Sequence, residues 1–369
     1  MFNLKRKSFK RFDFVLLTTV ILLSIYGIIV IYSATLSLDT LRYVKTQSIS
    51  TVLGLAAILF LVFFDYQFLG KLYIPIYIVS LLLLIAVLVL GIGDADWGSR
   101  SWLYIGKFGF QPAEIVKVGL IISLAKYLDI HKEDINSLFV LFKVLIFAFT
   151  PVALILLQPD AGTAMVFIFI IALMIFSAGI KWKYIGSAIG LGVLSLPILW
   201  TRLDVYQKNR FFNFLDPERD TSNTGLQAMQ GKIAIGSGKI FGRGLFQGTQ
   251  TQFNYIPEKQ TDFIFAVIAE ELGFVGGGLL IVLYFIMIHR IIKIAKNTPD
   301  KFGSFMAIGF VGMFLFHIWE NIGMTMGLMP ITGIPLPFIS YGGTFQLINL
   351  ISIGIVLSIG IYREGLSFE

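Results

Sequence analysis

The chain of 369 residues contains no cysteine. That excludes disulfides, thiolate metal sites and cysteine nucleophiles together. Histidine is nearly as scarce: His131, His289 and His317 are scattered, without the spacing a zinc site needs, and neither zinc nor haem is expected. Charged residues make up 14% against 56% hydrophobic, and mean hydropathy is +0.83, far from the balance of a water-soluble domain. With so little charge, the formal net +7 reads as basic residues gathered in cytoplasmic loops, and no nucleic-acid partner is expected. Gly236-Ser237-Gly238-Lys239 does not fit the phosphate-loop spacing and lacks the third glycine of a dinucleotide fingerprint. Nucleotide binding is excluded with it.

What fills the chain instead is a series of apolar runs, each long enough to cross a hydrocarbon core of roughly 30 Å as a helix. Helices are required there because each backbone group must find its partner within the segment. The expected fold is all-α: a polytopic membrane protein, one bundle of about ten transmembrane helices forming a single domain over 1–369. The spans fall near 14–34, 48–65, 72–93, 111–128, 137–157, 162–179, 184–201, 263–289, 303–327 and 344–362. The first run follows Lys5, Arg6, Lys7, Lys10 and Arg11; it is too long for a secretory signal and lacks a small-residue cleavage site, so it reads as an uncleaved first span.

With the termini inside, the inner segments hold 15 Lys and Arg: the five of the arm, then Lys71, Lys126, Lys132, Lys181, Lys183, Arg290, Lys293, Lys296, Lys301 and Arg363. The short outer loops hold four: Arg42, Lys45, Arg100 and Lys107. That asymmetry predicts cytoplasmic termini and puts the one long connection, about 202–261 between spans 7 and 8, outside. A loop of this length is functional or disordered. Its apolar anchors, Phe211, Phe212, Leu226, Met229 and Ile233 among them, favour order, with a surface-lying or re-entrant helix around 225–235. It carries Arg202, Lys208, Arg210, Arg219, Lys232, Lys239, Arg243 and Lys259 against Asp204, Asp216, Glu218, Asp220 and Glu258, a basic balance suited either to phosphate or simply to water.

Where that loop runs into the eighth span, from Asn254 to Glu271, Asp262 stands at the join of water and bilayer. A charge is costly there unless something uses it, which makes Asp262 the first candidate for chemistry. Glu271 faces the side of that helix opposite Asp262, so at most one of Glu270 and Glu271 shares its cavity. Glu114 and Lys117, three apart on the fourth span, share a face and can pair, either as a structural ion pair or lining a cavity that leads to Asp262. Asp160, in the short turn Gln158-Pro159-Asp160-Ala161-Gly162, suits a helix cap or turn. His317 and Asn321, with Glu320 beside them, suit hydrogen bonds between helices. The segment from Met329 to Gly343, with three prolines and three glycines, is stiff and shaped rather than floppy.

Four ordered motifs carry a resemblance: Gln111-Pro112-Ala113-Glu114-Ile115-Val116-Lys117; Gln158 to Thr163; Thr261-Asp262-Phe263-Ile264-Phe265 with Glu270-Glu271-Leu272-Gly273; and Gly333 to Gly343. Together they are similar to the SEDS family (shape, elongation, division and sporulation) of bacterial cell-wall polymerases, from first span to last. Asn209-Arg210, Phe214-Leu215-Asp216-Pro217 and the run from Lys232 through Gln250 look like its rod-shape elongation branch. Gln260 departs from the usual histidine before Thr-Asp, and Thr344-Phe345 from the small hydroxyl residues usual after Gly-Gly.

The resemblance implies a peptidoglycan glycosyltransferase that polymerises lipid II on the outer face of the bacterial cytoplasmic membrane, with Asp262 in the position of the family's essential aspartate; the mechanism expected for it is that of a general base. Glu114, Lys117, Asp160, Arg210, Lys259, Thr261 and Ser340 are the expected substrate-binding or cavity residues. Magnesium or manganese is the one cofactor admitted. Lipid II, the growing glycan strand, the bilayer and a class B penicillin-binding protein supplying transpeptidation are the expected partners. A flippase or transporter of the same lipid is the alternative, and a non-catalytic scaffold a third reading.

Overall fold

The computed structural model describes residues 12–93, 101–106, 108–202, 205–220 and 224–362. The basic arm from Lys5 to Arg11, and Arg100, Lys107, Asp204 and Arg363, all counted above, lie outside the described residues.

Long helices occupy every apolar stretch: α1 Phe14–Thr35, α2 Arg42–Val62, the short α3 Gln67–Lys71, α4 Tyr73–Leu90, α5 Pro112–His131, α6 Leu138–Leu156, α7 Ala161–Ser177 and α8 Trp182–Arg202. The long connection folds into α9 Val205–Leu215, α10 Thr224–Gly238 and α11 Thr249–Gln252. Then follow α12 Ile264–Asn297, α13 Lys301–Thr325 and α14 Gly343–Ile361. Seven of them, α1, α2, α4, α6, α12, α13 and α14, are long and apolar enough to cross a membrane, and α7 is apolar but shorter at 17 residues. This is a polytopic all-α membrane protein. Among the described residues it departs from this in a small antiparallel hairpin, β1 Leu103–Ile105 with β2 Phe108–Phe110, in register Leu103↔Phe110, beside an isolated bridge Ile92↔Trp102; strands of three residues are too short to leave a period in the sequence.

Local chemistry sets the helix starts. Asp13, Asp160 and Asp300 each accept an N–H three residues on, from Leu16 (3.0 Å), Thr163 (3.0 Å) and Gly303 (2.7 Å), the carboxylate cap that satisfies an otherwise orphaned donor. Pro112 opens α5 at a position where its missing N–H is not needed.

The centre of the bundle is α13 and α14, whose most apolar windows are 72% and 83% buried, against 17% for α4 and 22% for α2 at the edge. α13 packs on α5, α7 and α12, and α14 on α2. α10 lies against α12, and Ala234, Ile256, Phe263 and Ala266 form a second small core there. The helix expected around 225–235 therefore lies on the bundle.

α12 is broken near its start. Gly273 has φ +66° and ψ −160°, a conformation side chains disfavour. A continuous helix would bond the Phe274 and Val275 N–H groups to the Glu270 and Glu271 carbonyls. Here Phe274 and Val275 donate instead to Lys239 O (2.9 Å) and Ile240 O (3.1 Å), while Glu270 O and Glu271 O accept from Arg243 N and Gly244 N, both at 3.0 Å. Two helical bonds are exchanged for four to the loop, so these four backbone groups are all bonded.

Candidate active site

Asp262 sits in the turn just before α12, and its backbone is held from three sides. The carbonyls of three consecutive residues are each engaged: Gln260 O by Tyr341 N (2.9 Å), Thr261 O by Ser340 Oγ (2.6 Å) and Asp262 O by Asn321 Nδ2 (2.9 Å). Asn321, fully buried on α13, also donates to Ile334 O (2.8 Å), and Ser340 Oγ accepts from Leu336 N (2.7 Å). The stiff segment from Met329 to Gly343 is thus a frame bonded to the turn that carries Asp262.

The carboxylate itself is different. It is half-buried and has no hydrogen-bond partner among the described residues. Gly333 lies against it: at φ +77°, a Cβ there would stand 3.3 Å from Oδ2, so glycine both permits the turn and leaves the carboxylate face open. Burial pushes the Asp262 pKa up to about 7, and the nearby Glu258 carboxylate adds to the rise. The Arg210 guanidinium opposes it. A carboxylate with a pKa there exchanges a proton near neutral pH, which a general base must do.

Arg210 reaches in from α9, its Nη1 donating to Thr332 O (3.4 Å). Thr332 Oγ1 donates in turn to Glu320 Oε1 on α13 (2.9 Å). A crevice beside it is lined by Arg210, Asn213, Lys232 and Met329. Thr261 Oγ1 and Gln260 Nε2 both donate to Glu258 Oε2, at 3.0 and 3.3 Å. Gln260, the departure from the family pattern, therefore contacts the second carboxylate rather than Asp262.

Glu114 and Lys117 form a buried pair at 2.9 Å, with the Lys117 side chain 1% exposed. The Lys117 ammonium also meets His317 Nε2 at 2.8 Å, and His317 Nδ1 lies 3.1 Å from Pro335 O. A carbonyl only accepts, so Nδ1 carries the proton and Nε2 accepts from lysine. The pair thereby braces the Pro335 end of the frame. Asp160 caps α7 and also accepts from Thr163 Oγ1 (2.8 Å), Gln111 Nε2 (3.3 Å) and Ser101 Oγ (3.4 Å), while Gly162 beside it abuts Thr332 O. Lys259 is turned elsewhere. Its ammonium, buried on the side of α11, is taken up by Ser37 Oγ (2.7 Å), Thr251 O (2.6 Å) and Asn254 Oδ1 (2.6 Å), and burial pushes its pKa down to about 8.

Of the residues expected at the site, Asp262, Thr261, Ser340 and Arg210 meet along the frame, and Glu114, Lys117 and Asp160 support its edges. Lys259 does not join them. From the sequence alone Asn321, Glu320 and His317 read as ordinary interhelical bonds; their contacts with the frame lie 12 to 18 residues away and the His317–Lys117 contact 200, and only their polarity within a span signalled them. Glu270 and Glu271 both face residues 246–252, and neither enters the Asp262 site: Glu270 accepts from Gln250 N, Thr251 N and Thr251 Oγ1, and Glu271 from Phe246 N, Gly248 N, Gln252 Nε2 and Ser33 Oγ.

A polytopic helical bundle that carries Asp262 on a turn bonded to a proline- and glycine-rich frame is the class of protein the fold and candidate site define. A profile described as cell cycle protein, covering FtsW, RodA and SpoVE, matches residues 13–365, and the chain belongs to this family, the SEDS family. It is 36% identical over 372 residues to a probable peptidoglycan glycosyltransferase FtsW of Trichlorobacter lovleyi, covering 97% of this chain and 96% of that one. It is 38% identical over 295 residues to the peptidoglycan glycosyltransferase MrdB of Escherichia coli, covering 79% and 78%. A solved structure described as showing structural coordination of polymerization and crosslinking by a peptidoglycan synthase complex superposes with TM-score 0.82 at 33% identity, covering 96% of this chain and 99% of that chain.

Proposed function

We propose that this protein is a peptidoglycan glycosyltransferase that polymerises lipid II, with Asp262 as the general base. The observation that carries the reading is the contrast within one residue: the Asp262 backbone carbonyl is bonded (2.9 Å) while its carboxylate is free among the described residues, with a pKa about 7. Relatives named as peptidoglycan glycosyltransferases, matched over most of the chain, support the substrate.

In the reaction, Asp262 takes the proton from the 4-hydroxyl of the acceptor N-acetylglucosamine as that oxygen attacks the anomeric carbon of the donor. The glycosidic C–O bond forms, the bond to undecaprenyl diphosphate breaks, and the proton remains on Asp262 until water removes it. One displacement inverts the anomeric centre. Diphosphate leaves without a protonated second acid of the kind glycosidases use, so one carboxylate suffices. Arg210 supplies positive charge to the leaving group. Lys117, already engaged by Glu114 and His317, braces the frame. Among the described residues no three His, Asp or Glu side chains gather as metal ligands. A magnesium-type ion needs only one or two carboxylates plus phosphate oxygens; Glu258 with the diphosphate would meet that need, and the ion would supply counter-charge to the leaving group.

The charge asymmetry supports cytoplasmic termini and a site on the outer face of the bacterial cytoplasmic membrane. The motifs at Asn209-Arg210 and from Lys232 through Gln250 favour the elongation branch, RodA, over the division branch. A class B penicillin-binding protein, which crosslinks the glycan, is the partner, in keeping with the synthase complex that the fold resembles.

The test is polymerisation of purified lipid II, scored as glycan chains by gel. Wild-type protein with its partner makes chains, and Asp262→Asn, folded by thermal melting, loses about 10²- to 10⁴-fold, the usual contribution of a general base. Chains at wild-type rate from Asp262→Asn would overturn the assignment.

A further inference from the structure

The chemistry proposed above lies at one end of the bundle, and an unassigned groove lies toward the other. Gln111 and Asp160, in contact, mark the site end of α5 and α7. Tyr127 comes ten residues after Lys117 on α5, roughly 15 Å further along at 1.5 Å per residue. There α4, α5 and α6 enclose an open groove of about 410 Å³, lined by Tyr77, Leu81, Tyr127, Lys143, Ile146 and Phe147.

One wall is a rigid stack of rings from all three helices. Tyr77 lies on Phe147 at 3.9 Å and 16°, Phe147 on Tyr127 at 4.5 Å and 3°, and Tyr127 on His131 at 4.4 Å. Hydrogen bonds lock the stack: Tyr77 Oη donates to Phe147 O (2.7 Å), and His131 Nδ1 lies 2.9 Å from Tyr127 O. Lys143, one turn before Phe147 on α6, also lines the groove; it is exposed, its ammonium 4.1 Å over the Phe139 ring. Neighbouring cations are neutralised, Lys126 and Lys132 by Asp129 at 2.9 and 3.9 Å. Lys143 has no carboxylate partner among the described residues.

Lys143 also stands within the span. It is the sixth residue of α6, roughly 7 Å from the helix start, and Phe139, Phe142 and Ile146 around it are exposed apolar side chains. An ammonium at this depth in an apolar wall is costly unless it snorkels or finds an anion. An unpaired cation above an apolar, ring-walled groove matches an amphiphile with an anionic head, and basic pockets between transmembrane helices take anionic lipid headgroups. We propose that this groove binds one anionic phospholipid, its phosphate on Lys143 and its upper acyl chain along the Tyr77–Phe147–Tyr127 wall. The site is separate from the catalytic residues, and the proposal stands whether or not the glycosyltransferase reading holds.

The experiment uses the full chain in nanodiscs of phosphatidylcholine alone or mixed with phosphatidylglycerol, read by native mass spectrometry for retained lipid and by thermal melting. Wild-type protein is expected to retain phosphatidylglycerol preferentially and to melt higher in the mixed discs. Lys143→Glu and Lys143→Ala are expected to lose the retained lipid and most of the melting shift, Lys143→Arg to keep both, and Lys183→Glu, an exposed cation outside the groove, to behave as wild type. Equal retention of the two lipids, retention unchanged in both Lys143→Glu and Lys143→Ala, loss in Lys183→Glu to the same extent, or an equal melting shift from inorganic phosphate in phosphatidylcholine discs would each overturn it.

Discussion

Asp262 and the pair Glu270–Glu271 lie within ten residues of each other at the head of one helix, and their surroundings could hardly differ more. The two glutamates are at most 1% exposed and together accept from seven residues, namely Ser33, Phe246, Gly248, Thr249, Gln250, Thr251 and Gln252. Around Asp262, Tyr341 N, Ser340 Oγ and Asn321 Nδ2 are directed at the carbonyls of residues 260–262, Gln260 Nε2 and Thr261 Oγ1 at Glu258, and no donor at the Asp262 carboxylate among the described residues. The same functional group is spent on structure in one place and left available in the other. Buried polar atoms are ordinarily satisfied, so the acid that is not itself bonded is the candidate for the proposed chemistry.

The comparison can be broken by substitution. The largest stability effect falls on Glu271→Ala, which leaves Ser33, Phe246 N and Gly248 N without their acceptor. At roughly 1–3 kcal/mol for each buried group left unmet, a loss of about 3 kcal/mol or more in thermal or denaturant unfolding is expected, with activity lost only as the protein unfolds. An inactive Glu271→Ala that melts like wild type would put Glu271 in the chemistry and erase the distinction.

Asn321→Ala comes next. It removes the donor shared by Asp262 O and Ile334 O, so a cost of about 1–3 kcal/mol and a loss of polymerisation on the order of tenfold are expected. Unchanged kinetics would show that the frame does not set the carboxylate.

The smallest effect, and the most specific, is on pH. Polymerisation should rise with pH through about 7 as Asp262 ionises. Glu258→Gln, which removes a negative neighbour, should move that rise to lower pH, and Arg210→Ala should move it higher. Stability carries the opposite sign. The folded pKa of about 7 exceeds the unpaired value of 3.8, so the folded state keeps a proton the unfolded chain has released, and its advantage declines as pH climbs through that window. Asp262→Asn should abolish that part of the decline in melting scans taken between pH 5 and 8, values chosen at roughly the ordinary buffered range. The same pH profile in all three proteins would sink the electrostatic account.

Much of this was legible in the chain. Apolar runs located the long helices because hydrocarbon leaves the backbone no other partners. Asp262 was legible because a carboxylate at a water–bilayer join is costly, and the Glu114–Lys117 pair because helical spacing is local. What was not legible depends on distant segments. Lys117 meets His317 across 200 positions, and nothing in the periodicity of either helix encodes that. Lys259, read as a cation facing substrate, has its three donors claimed by Ser37, Thr251 and Asn254. Gly273 sat in a run whose composition reads as continuous helix, and only the approach of residues 239–244 reveals why a glycine is required.

That break also bears on how the protein is made. Residues 239–244 precede 270–275 in the chain, so translation delivers the partner of the break before the break itself. Two N–H and two carbonyl groups that a break at Gly273 would otherwise leave unpaired in lipid therefore find their partners in a segment already synthesised.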